Sequence, residues 1–249
     1  MESPAPAERT VGQLVAEAIR LYGAHFWSSL ALGLVVAAVD QLAVGQDRGG
    51  QAALLIVASP LFTLAYIRAC VIATGERPRW GIVGRAFAVG VLVFLPVGLL
   101  VWVFVLPALA WLAYAGLSVP VTLFEQLGFR DALRRAARLA QAEFLHALGS
   151  LATLVIVYIV ARSALVILLA GQAEAAGRTA VFFGDLVLSP LLFLGAALLY
   201  FDQKGRLESH PRRERSRDAD VHHAQQPDRS GRPDAEVEPG PAEGGQQGR

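Results

Sequence analysis

Residues Ala86 to Phe124 read AFAVGVLVFLPVGLLVWVFVLPALAWLAYAGLSVPVTLF, thirty-nine positions without a charged side chain. At 1.5 Å per residue a single helix of that length would extend about 58 Å, nearly twice the hydrocarbon thickness of a bilayer. The run must therefore turn back on itself, and it predicts two spans, Ala86 to Leu106 and Ala108 to Phe124, with Pro107 at the turn and with Pro96 and Pro120 permitting kinks. The next segment, EQLGFRDALRRAARLAQAEF (125–144), changes character at once. On a helical wheel Leu133, Ala136, Ala137, Ala140 and Phe144 share one side and Arg134, Arg135 and Arg138 the other, with Asp131 as the expected N-cap. An amphipathic basic helix between runs of spanning length belongs in the headgroup layer.

Working outward, the same grammar holds on both sides. Thr10 and Gln13 predict a capping box, and Val11, Leu14, Val15, Ala18, Ile19 and Tyr22 line one face of a second interfacial helix with Glu17 and Arg20 opposite. Further spans are expected at Phe26–Gly45, Gln51–Ala73, Leu145–Leu169 and Thr179–Phe201, separated by the turn Gln46–Gly50, the polar connection Thr74–Arg85 and the loop Gly171–Arg178. The fold class is thus all-α: an integral membrane bundle of about six transmembrane helices with two interfacial amphipathic helices and a disordered C-terminal tail. Residues 1–9 are expected to be a disordered N-terminus without the features of a signal peptide, 10–205 the six-helix membrane domain, and 206–249 a disordered cytoplasmic tail, too polar to bury a core.

Composition fits that division. Hydrophobic residues make up 54% of the chain and charged residues 17%, with a mean hydropathy of +0.46. The net charge of +1 says little; its placement says more. With the N-terminus inside, fifteen basic residues fall in inside segments, among them Arg77, Arg79, Arg85, Arg130, Arg134, Arg135 and Arg138, against Arg48 and Arg178 outside. That asymmetry predicts a multi-pass protein of the cell membrane with both termini cytoplasmic.

The halves also echo one another. AIRLYGAHF at Ala18–Phe26 aligns with AARLAQAEF at Ala136–Phe144, and SPLFTL at Ser59–Leu64 with SPLLFL at Ser189–Leu194, so a parallel repeat of amphipathic helix, span, span is expected.

Three stretches, TVGQLVAEAIRLYGAHFW, LSVPVTLFEQLGFRDALRRAARL and LLYFDQKGRLE, frame the region from Thr10 to Glu208. Together they resemble the membrane domain of some glycerophosphoryl diester phosphodiesterases, a multi-span family whose members also occur without the catalytic domain. The chain departs from that pattern at Ala136 and Ala137, where the family usually carries a serine after the arginine pair. The enzymatic part of those proteins resembles a TIM barrel, which takes about 250 residues of its own, so the resemblance implies the membrane part alone.

No nucleophile motif, phosphate-cradling glycine loop or metal-spaced cluster stands in the sequence. The single cysteine, Cys70, reads as a small buried hydrophobe, and the adjacent His222 and His223 as part of a solvated tail. No catalytic residue, cofactor site or metal site is therefore expected, and the leading reading is a non-enzymatic membrane module that organises lipid or a protein partner. Its partners would be the bilayer and anionic headgroups at the cytoplasmic face, met by Arg134, Arg135 and Arg138, and not nucleic acid. A small transporter is the second reading and an intramembrane headgroup enzyme the third, the latter with only Glu125, His25 and His146 near the inner surface. Glu125 is expected to pair with an arginine of the following helix.

Three charges lie inside the spans at one level. Asp40 is about 21 Å up from Phe26, Arg162 about 26 Å up from Leu145 and Asp185 about 24 Å above Phe201. An unpaired charge at that depth costs a few kcal/mol, so Arg162 is expected within salt-bridge reach of Asp185, and also of Asp40.

Overall fold

The computed structural model describes residues 10–76, 78–142, 144–169 and 173–225; the side chains of residues 102, 103, 142, 144–146, 174 and 208–225, together with Arg77 and Glu143, lie outside that description. The described chain is all-helical: α1 (Val11–Ala24), α2 (Phe26–Ala43), α3 (Arg48–Thr74), α4 (Trp80–Val103), α5 (Val105–Ala115), α6 (Ser118–Phe124), α7 (Phe129–Ala142), α8 (Phe144–Leu168), α9 (Glu174–Leu188) and α10 (Pro190–Gln225). Six stretches are long and apolar enough to cross a membrane: α2, α3, most of α4, α5 with α6, most of α8, and α9 with the first part of α10. Large apolar side chains stand outward on them, Val57, Val160, Ile167 and Leu168 among the most exposed. So much exposed apolar surface is that of a multi-pass integral membrane protein.

Helix ends move from the expected positions for local reasons. α3 starts at Arg48, inside the expected turn, because the Asp47 carboxylate accepts the Gly50 N–H at 2.9 Å and Gly45 supplies a φ of 80°. It ends at Gly75, whose φ of 70° closes the αL cap, and α4 then begins at Trp80, six residues before the expected span. α9 begins at Glu174, so Arg178 lies within a helix and not in a loop. Asp131 is not the N-cap of α7: Gly128 O accepts the first helical N–H, from Ala132, and Asp131 sits in the first turn, where a negative charge still suits the helix dipole.

Three prolines divide the spans by one mechanism, since each ring clashes with the carbonyl four residues back and offers it no N–H. Pro107 falls in the first turn of α5, and the chain breaks at Phe104, three residues before the expected turn. Pro120 follows the junction of α5 and α6, where Val119 N–H, and not residue 120, reaches Gly116 O at 3.4 Å. Pro190 opens α10 after a one-residue interruption at Ser189. Its orphaned acceptor is Leu186 O, and Gly33 of α2 packs against that carbonyl so closely that a Cβ there would collide with it. Pro60 and Pro96, by contrast, are carried inside α3 and α4.

The first stretch of α10 is the central post. Phe193, Leu194 and Ala197 pack with Leu32, Tyr66, Cys70, Ala86 and Val119 of the surrounding spans. Leu198 and Leu199 meet Leu14 and Ala18 of α1 and Ala147 and Leu154 of α8. Tyr200 meets Ala132, Ala136, Leu139 and Ala140 of α7. The backbone of α10 then continues to Gln225, since extending an existing helix avoids the cost of nucleation; residues 226–249 of the expected tail lie outside the described residues. The two halves share an element order. In each, a 14-residue amphipathic helix (α1, α7) precedes an apolar helix (α2, α8) and then a span with an internal Ser-Pro (α3; α9 with α10).

Candidate functional site

The charged residues expected at one level come together where α2, α8 and α9 meet. Tyr158 and Arg162 are one turn apart on α8 and share a face. The Arg162 Nη2 donates to Asp40 Oδ2 at 2.7 Å, and its Nε lies 3.5 Å from Asp185 Oδ1. Asp40 is therefore the closer partner, the reverse of the order of expectation. Tyr158, which the sequence reading did not single out, donates its hydroxyl to Asp185 Oδ1 at 2.6 Å. The signal for it was its i, i+4 spacing from Arg162. Nearby, Gln41 Nε2 donates to Arg178 O at 3.2 Å and ties α2 to α9.

Burial grades the three charges. The Asp185 side chain is fully enclosed, while Asp40 and Arg162 retain 25% and 33% of their side-chain exposure. Asp185 Oδ2 is buried with no hydrogen-bond partner among the described residues. Two carboxylates thus face one guanidinium, and the cluster carries one negative charge in excess when all three are ionised.

The exposure of Asp40 and Arg162 opens on a partly open cavity of about 530 Å³ between α2, α3, α4, α5, α8 and α10. Asp40, Gln51, Tyr158 and Arg162 line it toward the α2–α3 turn; the remaining wall is mainly leucine, valine and phenylalanine. Tyr66 also lines it but donates its hydroxyl to Ala196 O at 3.4 Å.

At the opposite ends of these spans, Glu125 closes α6 and is held from two sides, by Arg135 Nε at 3.0 Å and by the Tyr200 hydroxyl at 3.1 Å. Phe124 stacks on the Tyr200 ring with centroids 6.0 Å apart. Arg135 is thereby engaged with protein, whereas Arg134 and Arg138 on the same helix are exposed. The face of α7 opposite them, Ala132, Ala136, Leu139 and Ala140, is fully buried against the bundle. His25 is exposed at the break between α1 and α2. No family model matches the chain, and neither a curated protein nor a solved structure does.

Proposed function

We propose that the protein is a non-enzymatic module of the cell membrane, with both termini cytoplasmic, that organises anionic lipid through α7. The observation that carries this reading is the division of labour among the α7 arginines. Arg135 is committed to Glu125, the alanine face is committed to the bundle, and Arg134 and Arg138 are left pointing outward. A docked helix does not need to insert to hold lipid; two fixed cations at the headgroup level contribute about 1 kcal/mol each toward an anionic surface. The likeness of Thr10–Glu208 to the phosphodiesterase membrane domain supports the reading as a membrane module.

The test is lipid co-purification. From mixed membranes, the Arg134→Gln, Arg138→Gln double variant should retain a several-fold smaller excess of anionic lipid than the unaltered protein, and the difference should shrink at high salt. An unchanged lipid profile would assign these arginines to topology alone. The cavity with its ion pair favours a second reading, a small transporter, for which solute flux into proteoliposomes is the measurement.

A further inference from the structure

We propose that the cavity between α2, α3, α4, α5, α8 and α10 is a binding site for a single-chain aliphatic amine, its ammonium head at Asp40 and the Tyr158 hydroxyl oxygen and its chain along the apolar wall. The volume of about 530 Å³ is within the range of small-molecule sites, roughly 300–1,000 Å³. Its shape favours a chain. On α8 the lining runs from Arg162 down to Leu151, about 16 Å at helical rise. An extended chain advances about 1.2 Å per bond, so about twelve to fourteen carbons match that length. Leu55, Phe62, Phe94, Leu112 and Leu154 offer such a chain no competing polar contact.

Charge selects the head. Asp40 and Asp185 outnumber Arg162, so the cluster lacks one positive charge when all three are ionised; Asp185 is fully enclosed and does not line the cavity, so the head meets Asp40 directly and Asp185 acts on it only through its charge. An ammonium supplies the charge and three donors. A carboxylate or phosphate would instead add a like charge in a low-dielectric site, and an alcohol would donate without correcting the charge. The site uses neither Arg134 nor Arg138 and requires binding without flux, so its failure leaves the lipid and transport readings standing.

The experiment is equilibrium binding of radiolabelled tetradecylamine to the full chain in zwitterionic phosphatidylcholine nanodiscs, with empty discs as the partition control. The expected result is saturable binding of one amine per chain, with tetradecanol roughly tenfold weaker and myristate weaker still. Asp40→Asn should weaken the amine by a similar factor, and Val97→Trp, which fills the chain-binding part, should abolish saturable binding. The headgroup series is measured on the unaltered chain, so a variant that fails to fold does not leave the question open. Uptake no greater than in empty discs, myristate binding at least as well as the amine, or a folded Val97→Trp chain binding like the native one would each overturn the proposal.

Discussion

Arg162 does the work of two counter-ions. Its short bond is to Asp40, but the carboxylate that depends on it most is Asp185, which is fully enclosed and whose other bond to the same oxygen, among the described residues, comes from Tyr158. Removing the guanidinium leaves two negative charges among apolar helices, a cost of a few kcal/mol on membrane-insertion scales. Arg162→Leu should therefore lower the yield of monodisperse protein several-fold in size-exclusion chromatography from detergent. Adding Asp185→Asn should restore part of that yield, because an amide at position 185 can still meet the Tyr158 hydroxyl and no longer needs a cation. Equal loss in the single and double variants would mean that Arg162 is needed for its packing and not for its charge.

At the scale of elements, proline and glycine are used as a matched pair across the α2–α9 crossing. Pro190 strips Leu186 O of its helical donor, and a freed carbonyl inside a bilayer has to be covered by protein. Gly33 covers it because only a residue without Cβ permits the approach. Gly33→Ala should then force α2 and α9 apart and cost about 1–3 kcal/mol, read as a lower melting temperature in detergent, whereas Gly23→Ala, with open space around its Cα, should not. An unchanged melting temperature for Gly33→Ala would show the crossing to be soft. None of this was legible in the sequence, where Gly33 is one small residue in an apolar run. The spans themselves were legible, since length and hydrophobicity are what a bilayer demands of a helix. Their ends were less so: Asp47 and Gly75 act through caps that compete with the polarity of the flanking residues, and moved the starts of α3 and α4 by three and six residues. The ion pair was legible from depth alone, because few places in a membrane tolerate charge. The cavity was not, since it belongs to six helices at once and to the pattern of none.

At the scale of the whole molecule, six crossings would put residues 10–24, the turn before α4 and helix α7 on one side. We propose that this side is the cytoplasm, because Arg79, Arg85, Arg130, Arg134, Arg135 and Arg138 flank the ends of spans there, while Arg48 and Arg178 stand on the other side. Cysteine labelling is well suited to test the assignment, because the native Cys70 is buried in the core cluster beside Tyr66 and should stay silent toward membrane-impermeant maleimides in intact cells. Gln46, in the α2–α3 turn, and Glu76, between α3 and α4, are both exposed and sit at opposite ends of α3. Gln46→Cys should react in intact cells, and Glu76→Cys only after the membrane is permeabilised. Because one helix, α3, separates the two positions, a result in which both react from outside would contradict a spanning α3. A clean exchange of the two would keep the six-span fold, invert the molecule, and turn Arg134 and Arg138 away from the anionic cytoplasmic leaflet, removing the basis for the lipid reading.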